Sequence, residues 1–134
     1  YRNESAEDAA ARGARFDVVL ALEIVEHVAD IPAFLGALAT LLRPGGMLIL
    51  STLNRTPESY AAAILGAERL LRWLPQGTHD WRKFPTPEEL ETALAEAGLE
   101  VVDAKGMLPD LRRGGWRIGE SLRVNYIMTV LKPA

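Results

Sequence analysis

The chain has 134 residues, 49% of them hydrophobic, with no cysteine and a formal net charge of −3. That length suits one domain around one core, the charge excludes the broad basic field that drives nucleic-acid binding, and the missing thiols exclude disulfides, thiolate zinc sites and a cysteine nucleophile. No apolar run approaches the ~18 residues of a membrane-spanning helix, so a cytoplasmic protein is expected.

The first strong pattern is FDVVLAL, Phe16 to Leu22, a short apolar run rich in branched side chains. It predicts a strand covered on both faces, as in a parallel sheet. Asp30 can cap the next segment, with Pro32 in its first turn. Phe34, Leu35, Leu38, Leu41 and Leu42 then recur at helical spacing until Pro44 forbids continuation. RPGG turns the chain into MLILSTL, Met47 to Leu53, a second buried strand. Strand, helix and strand make one right-handed crossover. Thr56 and Pro57 start another helix whose stripe is Tyr60, Ile64, Ala67 and Leu71, ending near Leu74 and Pro75. With the polar, aromatic loop QGTHDWRKF it forms an insertion over residues 55–85. Thr86, Pro87 and Glu89 spell a capping box for a helix that Gly98 closes. Leu99 to Gly106 reads as a third strand and, beyond a loop rich in glycine and arginine, Leu122 to Lys132 alternates like a last one.

Directly after the first strand comes EIVEH, with Glu23, Glu26 and His27 at positions i, i+3 and i+4. In one helical turn these side chains share a face, and the carboxyl ends of parallel strands are where open sheets bind ligands. Two carboxylates and an imidazole suit Mg²⁺ or Mn²⁺, with water or substrate oxygens completing the shell. The residues leave a second reading open, a solvated polar loop whose histidine caps a helix.

FDVV, ALEIVEHV and LLRPGGMLILSTLNR together resemble the second half of a class I S-adenosylmethionine-dependent methyltransferase, an α/β, Rossmann-like fold. STLNRTPES, GAERLLRWLPQGTHDWRKFPTPEEL and the terminal VNY resemble, more narrowly, the ubiquinone-biosynthesis O-methyltransferases, over nearly the whole chain from about Tyr1 to Lys132. The resemblance implies that residues 1–134 are the C-terminal part of a single methyltransferase domain. The whole enzyme would transfer a methyl group from S-adenosylmethionine to a catechol hydroxyl of a polyprenylated ubiquinone precursor.

It assigns Glu23, Glu26 and His27 to Mg²⁺, which would acidify the catechol hydroxyl and fix it before the methyl sulfonium. NESAED resembles the turn that flanks the cofactor's adenine, implicating Ala6 and Glu7 with Ser5 adjacent, while Leu22 would pack against the cofactor. A structural role stands beside each, and Glu7 also suits a helix N-terminus. His79, in GTHD, is a further ligand, a base for the phenolic proton, or a structural loop residue. The implied partners are a polyprenylated catechol or phenol, a complex of ubiquinone-biosynthesis proteins and, through residues 57–83, an anionic membrane surface. That segment carries Tyr60, Ile64, Leu65, Leu70, Leu71, Trp73 and Trp81, rimmed by Arg69, Arg72, Arg82 and Lys83, a composition suited to peripheral binding at the inner face of a membrane.

One departure matters. No glycine-rich loop follows a first strand, and no acidic residue ends a second one, so the N-terminal strands of the fold are expected to be absent. Either the residues are a fragment, which the start at Tyr1 favours, or cofactor binding has been lost. Bare strand edges would then favour association with another chain. Two rival functions are a metal-independent methyltransferase acting on another small acceptor and a noncatalytic, membrane-peripheral module.

Overall fold

The computed structural model describes residues 2–61, 80–110 and 115–134. Ser5 opens the first helix, α1 (Ala6–Ala11), by accepting the Asp8 amide on its hydroxyl at 3.0 Å. Strand β1 (Phe16–Leu22) follows, then a 3₁₀ turn, Val25–His27, and α2 (Ile31–Leu41). Asp30 caps α2 by accepting the Ala33 amide at 2.9 Å. The chain continues through β2 (Leu42–Leu53), a helical turn at Pro57–Ser59 and a 3₁₀ turn at Trp81–Lys83. Then come α3 (Pro87–Glu96), β3 (Glu100–Asp110), β4 (Gly115–Gly119) and β5 (Asn125–Leu131).

The five strands form one sheet in the order β1-β2-β5-β3-β4. β1 and β2 run parallel across the α2 crossover, whereas β5 slots antiparallel between β2 and β3. Leu48 and Leu50 of β2 lie beside Tyr126, Met128 and Val130 of β5, and all five are buried under Leu35 and Leu38 of α2 and Leu90 and Leu94 of α3. Each such side chain contributes roughly 1.5–3 kcal/mol, so this face holds most of the apolar stabilisation.

The opposite face of β1 corrects the expectation of a strand covered on both sides. Phe16, Val18, Leu20 and Leu22 are 44%, 54%, 64% and 51% exposed, and only Val19 and Ala21 turn toward the helices. The alternation is that of a half-covered edge strand.

Other boundaries shift for physical reasons. β2 starts at Leu42 rather than Met47, because Phe16 pairs with Leu42 and the register slips before Val18 meets Met47, absorbing the RPGG turn inside the strand. β3 runs on to Asp110, and its distal end pairs with β4, where the sequence suggested a loop. β5 is shorter than expected, Asn125 to Leu131. The capping box of α3 is formed, Thr86 and Glu89 each accepting the other's amide. The insertion helix begins at Thr56 and Pro57 as expected; its stripe residues Ile64, Ala67 and Leu71 lie outside the described residues. Among the described residues, no helix is long and apolar enough to cross a membrane.

Candidate functional site

The carboxyl ends of β1 and β2 meet at Leu22 and Ser51, and the polar chemistry gathers just beyond that pair. Glu23 does not enter a helical turn. It takes a left-handed conformation, φ 51°, pinned to the end of β2. Its amide donates to the Ser51 carbonyl at 3.0 Å and to the Ser51 hydroxyl at 3.2 Å, while that hydroxyl donates to Glu23 Oε1 at 2.7 Å. The turn starts two residues later, at Val25, and places Glu26 inward, 3% exposed. There the Thr52 hydroxyl donates to Glu26 Oε2 at 2.6 Å.

Ser51 and Thr52 are neighbours on one strand, so their hydroxyls project to opposite faces, and each holds one carboxylate. This is why the i, i+3, i+4 convergence expected of Glu23, Glu26 and His27 does not form. Among the described residues no three Asp, Glu or His side chains are grouped to hold a metal ion. One observation nevertheless fits a cation: Glu26 Oε1 is buried and accepts no hydrogen bond.

Two further buried acceptors at this end of the sheet, Asn54 Oδ1 and Asn125 Oδ1, share that condition. Asn54 closes β2 by donating its side-chain amide to the Leu122 carbonyl at 2.9 Å, and Asn125 pairs with Leu53 across the sheet. Beside Thr52 lies Tyr126, fully buried, its hydroxyl donating to the Pro85 carbonyl at 2.9 Å. Burial, reinforced by the Glu26 carboxylate, pushes this phenol far above its ordinary range, so it stays protonated and holds structure rather than taking protons. Sequence reading missed Ser51, Thr52, Asn54 and Asn125. The available signal was STLN, hydroxyl and amide side chains ending an apolar strand at its carboxyl end.

On the α1 side of β1 a cavity of about 510 Å³ opens, and Ser5, Ala6, Glu7 and Leu22 all line it. Ile24 and Val28, which flank the acidic turn, complete its wall. Its size lies within the range of small-ligand sites. Ser5 and Glu7 also serve α1, as cap and as first-turn acid. His79 lies outside the described residues. Trp81 turns into the protein: it packs against Leu53 and Phe84, its indole N–H donates to the Thr56 carbonyl at 2.9 Å, and its ring meets Tyr60 edge-on at 6.0 Å.

The described residues thus combine a mixed sheet, helices packed on one of its faces, and a cavity at the carboxyl end of a parallel strand pair. The chain belongs to the methyltransferase domain family, whose model matches residues 1–104. It shares the fold of a putative S-adenosylmethionine-dependent methyltransferase from Listeria monocytogenes, with a TM-score of 0.63, 14% identity and coverage of 100% of this chain and 69% of that one. A second, from Thermotoga maritima, gives a TM-score of 0.60 at 17% identity, over 90% of this chain and 57% of the other. In sequence the chain is similar to the ubiquinone biosynthesis O-methyltransferase of Cereibacter sphaeroides, 54% identical over 99% of this chain and 54% of the relative. The enzyme of the same name from Azorhizobium caulinodans is 54% identical over 100% of this chain and 53% of its own length. The chain therefore spans about half the length of the curated relatives it matches.

Proposed function

We propose that residues 1–134 form the C-terminal part of an S-adenosylmethionine-dependent O-methyltransferase acting on a catechol hydroxyl of a polyprenylated ubiquinone precursor. The cavity beside β1 carries this reading, because it gathers Ser5, Ala6, Glu7 and Leu22 with Ile24 and Val28, which flank the turn that carries Glu26. When bound there, S-adenosylmethionine supplies an electrophilic methyl group and leaves as the thioether. Leu22 and Ile24 furnish an apolar wall, and the Glu7 carboxylate offers an acceptor for cofactor hydroxyl or amino donors. The catechol oxygen must give up its proton as it takes the methyl group, and His79 is the proposed base.

The finer proposal is Mg²⁺ held by Glu23, Glu26 and His27, for which the unpartnered Glu26 Oε1 is the supporting observation. The ion would acidify the bound hydroxyl, its remaining positions filled by water and substrate. No step above depends on it, since the three side chains are not gathered. A metal-independent reaction is the second reading, favoured by the hydroxyl anchors that Ser51 and Thr52 provide to the two carboxylates. Through residues 57–83 the enzyme is further proposed to meet an anionic membrane surface, the exposed Arg82 and Lys83 lying beside it, while Trp81 stays with the protein. A complex of ubiquinone-biosynthesis proteins is the proposed wider setting.

The test joins this chain to the part of the Cereibacter relative that it does not span and follows methyl transfer from labelled S-adenosylmethionine to a short-tailed polyprenyl catechol. Transfer that is lost on chelation and restored by Mg²⁺ supports the whole proposal; transfer that survives chelation selects the metal-independent reading. Binding of S-adenosylhomocysteine without transfer refutes the substrate class. Flotation with anionic liposomes, compared with the Ile64→Asp and Leu71→Asp forms, tests the membrane contact, which equal flotation would overturn.

A further inference from the structure

The VNY segment holds a buried group that the proposed reaction does not use. Asn125 opens β5 at 5% exposure, and its Oδ1 accepts no hydrogen bond. A buried carbonyl in that condition calls for a donor from elsewhere. Its place on the sheet shows which way it faces. Tyr126, Met128 and Val130 take the side covered by helices, so Asn125 stands on the other one, paired with Leu53. Leu22 and Ser51 share that second face, since they pair with each other and Ser51 alternates with Leu53 along β2. One face at the carboxyl end of the sheet thus carries Leu22 of the cavity wall, the Ser51 hydroxyl bonded to the Glu23 carboxylate at 2.7 Å, and the Asn125 amide. Ser51 and Asn125 are diagonal neighbours, roughly 7–8 Å apart. Two O–H···O bonds of about 2.7 Å, placed on the adjacent oxygens of a catechol, cover a distance of that order. Leu53, the direct partner of Asn125, packs with Phe84 and Trp81, which gives this face an aromatic, apolar surround.

We propose that Asn125 is a substrate-binding residue that selects a diol: its Oδ1 accepts the hydrogen bond of the catechol hydroxyl next to the one that is methylated. The inference rests on the catechol reading above and names the residue that enforces it. Once the reacting hydroxyl has lost its proton, the neighbouring O–H otherwise turns toward that oxyanion and occupies a lone pair needed for attack on the methyl group. Acceptance by Asn125 draws it the other way. A phenol without the second hydroxyl leaves Oδ1 buried and unmet when it binds, which is how a hydrogen-bonding site rejects an analogue that lacks the group.

The test uses the joined enzyme of the methyl-transfer assay and compares a short-tailed polyprenyl catechol with the monophenol that keeps only the reacting hydroxyl. The parent should favour the catechol in kcat/KM by ~10–100-fold, the worth of one buried hydrogen bond. Asn125→Leu, close to asparagine in size and apolar, should bring that preference below about 3-fold, while binding S-adenosylhomocysteine as tightly as the parent and melting no lower. Asn125→Asp keeps an acceptor oxygen and should hold the preference above about 10-fold. Grip of both catechol oxygens by a metal ion would also favour the diol, but Asn125→Leu would leave that preference intact. A parent that methylates neither phenol refutes the substrate class beneath the inference. A parent that methylates the catechol, with its preference undiminished in Asn125→Leu or with both substrates falling alike, overturns the inference alone and leaves Asn125 a structural residue.

Discussion

Replacing Thr52 with valine keeps the volume and branching of a buried strand residue and removes one hydroxyl. Thr52 is fully buried, and its hydroxyl supplies the hydrogen bond to Glu26 Oε2 at 2.6 Å, while Glu26 Oε1 has none. The variant therefore leaves both oxygens of a 3% exposed carboxyl group without a donor. An unsatisfied buried acceptor costs about 1–3 kcal/mol, toward the upper end here because the group has no second donor and little solvent. With about 3–5 °C of melting temperature per kcal/mol at this chain length, the expected loss is roughly 6–10 °C for a 2 kcal/mol change. Ser51→Ala is the internal control. It also removes one hydroxyl from a glutamate, but Glu23 is exposed and water replaces the bond, so the cost should be about 0.5 kcal/mol. Urea unfolding of both variants, of Glu26→Gln and of the Thr52→Val/Glu26→Gln double variant gives the coupling directly. Equal losses for Thr52→Val and Ser51→Ala, or a coupling near zero, would refute the view that Thr52 is what allows Glu26 to sit inside the protein.

Glycine positions give changes of opposite sign. An alanine Cβ at Gly106 would lie 1.8 Å from the Ser121 carbonyl oxygen, a backbone atom, so Gly106→Ala should cost about 3 kcal/mol in urea unfolding. Gly36 sits inside α2 with open space around it, and Gly36→Ala should stabilise by roughly 0.5–1 kcal/mol in the same assay. Thr86→Ala removes the cap of α3 and should cost about 1 kcal/mol. The Thr86 amide, with Arg55 adding to it, lowers the Glu89 carboxyl below its usual range. Its stabilising effect is therefore present above the unfolded value of ~4.3 and disappears as pH falls through the lower folded one. Glu89→Gln should accordingly be less stable than the parent at pH 7 and equal to it in strong acid, as pH-dependent unfolding would show. Tyr126→Phe deletes a buried donor to the Pro85 carbonyl and should lose about 1 kcal/mol with unchanged secondary structure by circular dichroism.

Local chemistry was legible in the sequence wherever the interacting groups are neighbours along the chain. The Thr86–Glu89 capping box and the Asp30 cap need only three residues of context, and both are formed. Strand β4 was not legible, because Gly115 to Gly119 is short and flanked by glycines, and its stabilisation comes from pairing with β3 rather than from any pattern of its own. RPGG does bend the chain, with Gly45 at a positive φ of 75°, but the bend lies within β2 as a register slip against β1 rather than before the strand. At EIVEH the spacing suggested one helical turn, and nothing in the segment reveals that Glu23 is held left-handed by Ser51, 28 residues away. Ser5, Ala6, Glu7 and Leu22, named through resemblance, share one cavity because α1 and β1 bring them there. The acceptors of Asn54 and Asn125 became visible only through the β2–β5 pairing.

The left-handed backbone of Glu23 sets stability and chemistry against each other at one position. A glycine there would relieve roughly 1 kcal/mol of conformational cost and would delete the carboxylate in the same step. A laboratory selection for heat resistance alone would thus be drawn toward erasing this acid.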